Sequence, residues 1–355
     1  MDLLILNSNL ESTSVLDTFE SLIWTDRYFK YGDFEIYTPV TSDILTILKE
    51  DYYLWSNSSD HVMIIEDIEI DTDVENGNHL KVTGRSLESI LDRRIIWGQT
   101  ILNGNFQNGI LKLLNENVIS PTDTSRQIPN FIFEASTDTA ITSLTIDTQF
   151  TGDNLYKAIQ SLCETERIGF SITLTDTNQF KFKLYSGKDR SYDQITNPYV
   201  VFSPNFENIL NSNYVKSKKT LKTVTLVAGE GEGFDRRTTT VAVTAGSGSG
   251  LSRRELFTDA REVSSTIDGG TLTDSEYLAQ LAQKGSADLA ENTVVTSFEG
   301  EVETSHLYEY GEDFFMGDIL QIANEYGIES KVRVVEVIRS QSLSSTNIHP
   351  TFTTV

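Results

Sequence analysis

The chain has 355 residues, 38% hydrophobic and 10% aromatic, enough for two or three domains with real cores and too apolar for wholesale disorder. Its 52 acidic against 28 basic residues give a net charge of −24, which excludes non-specific adhesion to nucleic acid or anionic lipid, because both need clustered Lys and Arg. The lone cysteine, Cys163, excludes an internal disulfide framework and a thiolate metal cluster, and His61, His79, His306 and His349 are too scattered for a zinc site.

Residues 1–7 lack a basic n-region and are expected to form a first strand rather than a signal peptide, and no apolar run is long enough to span a membrane. A soluble protein that is not exported by the ordinary route is therefore expected. Residues 34–37 alternate as a strand that ends at Thr38 and Pro39. A short helix follows, capped by Ser42 or Asp43, with Ile44, Leu45 and Leu48 as its apolar stripe. Residues 61–66 and 68–70 read as strand, 75–78 as an Asn-Gly turn, and 79–84 as the returning strand. Ser86 is placed to cap a helix with Leu87, Ile90 and Leu91 on one face.

From residue 99 the period changes. Phe106, Ile110, Leu111, Leu113 and Leu114 fit a helix, and the polar stretch 120–130, with two of the six prolines, fits a loop. Asp153 is placed to cap a helix whose buried stripe is Leu155, Ile159, Leu162 and Cys163, with Gly169 as its C′ glycine. Residues 170–174 and 180–185 form a hairpin around 175–179. Strands are predicted again at 199–202, 221–228, 294–302, 319–323 and 331–338, and a helix over 274–292 with Tyr277, Leu278, Leu281, Ala282 and Leu289 inward. The glycine-rich segments 229–233 and 246–250 read as flexible loops.

Candidate chemistry is sparse. The GEGEG run at 229–233 lacks a lysine and a following helix, and its two glutamates would repel phosphate, so it reads as a connecting loop. The acid pairs Glu66 and Asp67, Asp71 and Asp73, Glu301 and Glu303, and Glu312 and Asp313 could in principle serve glycoside hydrolysis. With 52 acids such pairs arise everywhere, and strand alternation is expected to point Glu66 away from Asp67. No Gly-x-Ser-x-Gly elbow occurs. Cys163 sits at a helical core position, as a packed hydrophobe would, and Arg236, Arg237, Arg253 and Arg254 are expected to pair with nearby acids. No catalytic, cofactor-binding or metal-ligating residue is identified.

Four stretches together resemble one family. They are WTDRYFKYGDFEIYTP at 24–39; Ile65 and Glu66 leading to GRSLESILDRRII at 84–96; GEGE at 229–232 with LSRRELF at 251–257 and Asp259, Ala260, Arg261; and YGED at 310–313 with Gly317, Asp318, Ile319, ending at Pro350, Thr351, Phe352. In this order they resemble the tail hub protein of long, non-contractile tailed phages, which includes the N-terminal part of tail-associated lysins and shares its fold with the baseplate hub of contractile phages. The resemblance covers nearly the whole chain.

It implies an α+β, mostly β fold, with two tube-type β-barrel domains flanking an α/β insert. The first tube domain would be 1–98, the helix-rich insert 99–198, the return strands of the first tube domain 199–222, and the second tube domain 223–355, carrying the helix 274–292. The implied function is structural: a homotrimeric hub at the virion tail tip, assembled in the bacterial host cytoplasm, that continues or caps the tail tube. Its implied partners are the distal tail protein, the tail tube and tape measure proteins, and tip or fibre receptor-binding proteins. Phage DNA would pass without specific binding, and no membrane anchor or cofactor is implied. Acidic walls would suit such a channel, because they repel the DNA backbone. Tail-associated lysins continue into fibre or peptidase domains, whereas this sequence stops at Val355, so lytic activity is expected on another protein or a further extension. The alternative reading is a carbohydrate- or peptide-cleaving tail component, which would bring two acids together in a pocket.

Overall fold

The computed structural model describes residues 1–73, 77–243, 249–267, 270–302, 307–327 and 329–355. Glu75 and Asn76 of the predicted Asn-Gly turn, most of the 246–250 segment, Glu303 and His306 lie outside them. The chain is mostly β and divides into two compact units, one made of Met1–Ile90, Phe170–Val215 and Ser297–Val355, the other of Leu91–Gly169 and Lys216–Thr296.

The first unit is built on one large sheet. Its N-terminal strands are β1 (Leu3–Leu6), β2 (Ser12–Leu16), β3 (Ser21–Arg27), β4 (Asp33–Pro39), β5 (Tyr53–Trp55), β6 (Met63–Asp73) and β7 (Gly77–Ser86). They run β3-β4-β7-β6-β5-β1-β2 across the sheet. On the other side of β3 the order continues through Glu329–Ser342, Thr346–Thr354, Val295–Val302 and Ile209–Ser217, with Ile319–Ala323 and Val201–Phe202 branching from Glu329–Ser342. The two strand-rich regions of the sequence thus share a continuous sheet, whose ladders do not close into a barrel among the described residues.

Period-2 patterning explains why these segments are strands. In β4, Phe34, Ile36 and Thr38 are buried, and in β7 so are Leu80, Val82, Gly84 and Ser86. The two rows face one core, with Ile36 opposite Val82. That N-terminal core holds Leu3, Ile5, Leu22, Trp24, Leu54 and Met63. A separate C-terminal core holds Val200, Phe202, Phe314, Leu320, Val332 and Phe352, where the Phe202 ring lies 5.5 Å from Phe314 and 5.8 Å from Phe352. Each such side chain, fully buried, stabilises by about 1.5–3 kcal/mol before entropy is counted. Of residues 199–222, expected to return to the first tube domain, those up to Val215 group with Met1–Ile90 in the first unit and those from Lys216 on fall in the second; Val201–Phe202 runs parallel to Ile319–Ala323, and Val200 and Phe202 complete the C-terminal core.

The second unit packs the helix Asp274–Glu291 on a three-stranded sheet of Val224–Ala228, Thr238–Ala242 and Glu255–Asp259. The helix opens with a capping box of Thr273 and Glu276 and buries Tyr277, Leu281 and Leu289. Gly285 lets it close on the sheet, since a Cβ there would stand 2.4 Å from Val227. The same helix packs on Leu155–Glu166, so residues 216–296 group with 91–169 rather than with the C-terminal strands as expected. Leu278, expected inward, is 37% exposed.

Local corrections follow from caps and close approaches. Thr41, not Ser42 or Asp43, caps the first helix, and Asn154, not Asp153, caps Leu155–Glu166. The latter helix ends on Arg167 in the left-handed region (φ 59°), while Gly169 already begins the next strand. Leu87–Arg93 is a 3-10 turn, not an α-helix, and Leu87, Ile90 and Leu91 are buried in it.

Candidate functional site

The most heavily built polar site in the first unit lies where β3 meets Glu329–Ser342, the ladder joining the two halves of its sheet. Trp24 faces Arg339 across this antiparallel pair and Asp26 faces Val337, so Asp26 and Arg339 are diagonal neighbours on one face. Their ion pair is buried, with side-chain exposures of 4% and 7%. The Trp24 indole N–H donates to Asp26 Oδ1 at 3.1 Å, and the Ser59 hydroxyl donates to both carboxylate oxygens at 2.9–3.0 Å. On the opposite face Arg27 bridges Glu336 at 2.5 Å and Asp33 at 2.6 Å; burial opposes its charge, but the two carboxylates hold its pKa above the ordinary value.

A second buried pair supports the first. His61 Nδ1 stands 3.2 Å from Glu88 Oε1, a charge contact off the hydrogen-bonding direction. Glu88 accepts from the Ile172 N–H at 2.7 Å and from the Ser86 hydroxyl, which in turn accepts from the Gly32 N–H at 2.7 Å. Burial by itself pulls the His61 pKa down, but the carboxylates of Glu88, Asp26 and Asp60 outweigh it and hold it up at about 9. Burial pushes Glu88 up, and the His61 charge with the Ser86 hydroxyl and the Ile172 N–H brings it below the usual carboxylate range.

The motifs noted in the sequence acquire distinct jobs here. In GRSLE at 84–88, Gly84 is required by a close approach, because a Cβ would fall 1.8 Å from the Ile64 carbonyl oxygen. It therefore serves strand contact, not a strand-to-helix turn. Arg85 grips Glu66 through two bonds of 2.6 and 2.8 Å. Glu66 is the extra residue of a β-bulge, since Ile65 opposes Gly84 and Asp67 opposes Thr83. The bulge breaks the expected alternation, and Glu66 and Asp67 line one shallow groove beside Arg85. In the C-terminal motif, Asp318 forms a buried ion pair with Arg190 at 2.6 Å and also accepts from the Lys188 and Phe315 N–H groups.

Several of the other candidates have structural partners. The carboxylate of Glu230, in the 229–233 run, pairs with Arg237 at 2.6 Å and accepts from the Ser265 N–H and hydroxyl, and the Glu230 N–H donates to the Tyr277 hydroxyl. The run is thus tied down at Glu230, where a free connecting loop was expected. Arg236 pairs with Asp259 and Arg253 with Glu255, and Arg254 donates to the Lys218 carbonyl. Cys163 is fully buried, and burial pushes its thiol up. Asp313 accepts from the Glu309 N–H at 2.8 Å. No group of three or more His, Cys, Asp or Glu that could hold a metal occurs among the described residues, and no helix among them is long and apolar enough to cross a membrane. Sequence reasoning missed Asp26, His61, Glu88 and Arg339 as a group; the only trace is polar residues within strands that are otherwise apolar on one face.

Known structures share this architecture. The prophage tail protein gp18 from Listeria monocytogenes EGD-e aligns over 99% of this chain and 94% of its own at 12% identity, with a TM-score of 0.55. The tail protein from Neisseria meningitidis MC58 aligns over 99% and 95% at 11% identity, TM-score 0.58. The 43 kDa tail protein of prophage MuSo2 from Shewanella oneidensis aligns over 100% and 98% at 11% identity, TM-score 0.57. At such identities the likeness is one of fold. No curated protein sequence matches the chain. The family model described as Siphovirus ReqiPepy6 Gp37-like protein matches residues 2–352, and with that span matched, the chain belongs to the Siphovirus ReqiPepy6 Gp37-like family.

Proposed function

We propose that this protein is a structural component of a phage tail, a hub at the tail tip that assembles as a homotrimer, joins the distal tail protein to tip or fibre proteins, and surrounds the path of the DNA. The observation that carries this reading is the sheet of the first unit, on which two separate cores meet at one buried polar ladder. Each half would act as a tube-type module, so that three chains present six modules to a six-fold tail tube. Family membership and a fold shared with three tail proteins, two of them from prophages, support the tail role. A net charge of −24 per chain favours a lumen that repels the DNA backbone.

The role is read as non-enzymatic. Asp26 lines a cavity beside His61, but it and Glu88 are each held by a cation and hydrogen-bond donors in arrangements that stabilise the fold. A reconstruction of the assembled tail tests the hub: three copies in a ring at the tip are expected, and any other copy number overturns it.

A further inference from the structure

Beside the buried ladder lies a cavity of about 480 Å³, within the first unit, bounded in part by Ser171, Lys183, Tyr185, Tyr310 and Phe315. That volume lies in the range of small-molecule sites, about 300–1,000 Å³. Most of its charges are already engaged: Asp26 with Arg339, and His61 with Glu88. Lys183 differs. In the strand Phe180–Tyr185, Phe180, Phe182 and Leu184 are buried, which leaves Lys183 and Tyr185 on the opposite face. Its ammonium lies 5.9 Å from the Tyr185 ring centroid, and it has no ion-pair partner among the described residues. Ser171, on the neighbouring strand, is 3% exposed, and its buried hydroxyl has no hydrogen-bond partner. Buried hydroxyls are normally satisfied, so this one is open to a hydrogen-bond partner from the cavity.

We infer that this cavity binds a small molecule carrying one oxyanion, with the anion on Lys183 Nζ and the Ser171 hydroxyl. An ammonium and a hydroxyl beside a shielded space make charge-assisted hydrogen bonds to a carboxylate or phosphate. Inorganic phosphate alone would leave much of the volume empty, so the ligand has a body, and the rings of Tyr310 and Phe315 offer that body flat surfaces. Asp60, also on the lining, disfavours polyanions. The fitting ligand is therefore of monosaccharide size with a single acidic group. This inference stands apart from the hub assignment.

The test is calorimetric titration of the full chain with glucose 6-phosphate, glucuronate, glucose and inorganic phosphate, at ionic strength held constant with chloride. At least one of the two acidic sugars is expected to saturate and to bind about tenfold or more tighter than inorganic phosphate, about 1.4 kcal/mol, with glucose silent. The arm that binds tells phosphate from carboxylate recognition. Lys183→Gln is expected to weaken binding at least tenfold, Ser171→Ala severalfold, and Lys183→Arg to retain most of it, with unchanged melting temperatures of the free variants serving as the folding control. Failure of both acidic sugars to bind, binding of glucose equal to theirs, or equal affinity in Lys183→Gln and the parent each overturns the inference. If Lys183→Gln does not fold, loss of binding in Ser171→Ala with retention in Lys183→Arg decides in favour, and the converse decides against.

Discussion

Asp26→Ala tests whether the ladder between β3 and Glu329–Ser342 holds the two halves of the first unit together. The substitution leaves Arg339, whose side chain is 7% exposed, without a counter-charge, and removes the acceptor of the Trp24 indole and the Ser59 hydroxyl. Removing one partner of a buried ion pair costs about 3–5 kcal/mol, because a charge is left unpaired away from water. For a domain of about 150–250 residues each kcal/mol moves the melting temperature by about 2–4 °C, so a fall of roughly 6–20 °C is expected. Replacing both partners, Asp26→Leu with Arg339→Leu, is expected to recover most of this loss, since no buried charge remains. Chemical denaturation followed by tryptophan fluorescence is a suitable assay, because Trp24 is fully buried at the ladder. A cost for Asp26→Ala below about 1 kcal/mol, the range of exposed ion pairs, refutes the reasoning, as does a double variant no more stable than the single one.

His61 has a raised folded pKa, so its contribution is complete below its ordinary value of 6.5 and is lost as pH rises through about 9. Glu88 is lowered, so its contribution is present above its ordinary 4.5 and is lost as pH falls through its folded value. Denaturation midpoints from pH 5 to 10 are expected to fall on the alkaline side in the parent and to stay flatter there in His61→Gln; parallel curves count against the pair. Gly84→Ala, whose Cβ meets the Ile64 carbonyl, is expected to destabilise strongly, whereas Gly98→Ala has nothing within 4 Å to meet and is expected to be neutral in the same melt. Leu91 is fully buried, and Leu91→Ala is expected to cost about 2–5 kcal/mol; a variant as stable as the parent removes that element from the core. In the proposed trimer, like-charge repulsion among the acids is expected to outweigh exposed ion pairs, so added moderate salt raises its melting temperature; a fall with salt removes the electrostatic argument for the proposed DNA channel.

Much of the local structure was legible in the residues. Alternation marked β4 and β7, a 3.6-residue period marked Phe106–Leu114 and Leu155–Glu166, and the Asp274–Glu291 helix carried its own capping box. These signals are local: side chains two or three to four residues apart share a face whatever the rest of the chain does. The order of motifs also sufficed to point to the family, because GRSLE and WTDR keep their residue types wherever they lie in space. The ions at 84–88 and 24–27 were visible as residues but not as partners.

What tertiary structure alone decided was long-range. Asp26 and Arg339 are 313 residues apart, and no periodicity relates two strands that distant in sequence; only the pairing of β3 with Glu329–Ser342 makes them neighbours. The same pairing merged two strand-rich regions into one sheet, and the packing of Asp274–Glu291 on Leu155–Glu166 drew residues 216–296 away from the C-terminal strands. The bulge at Glu66 reversed a facing that alternation had predicted, because one extra residue shifts everything after it by a face. Sequence by itself determined the elements and the net charge of −24; which strands pair, and so which charges are buried together, depended on contacts that a linear pattern does not encode.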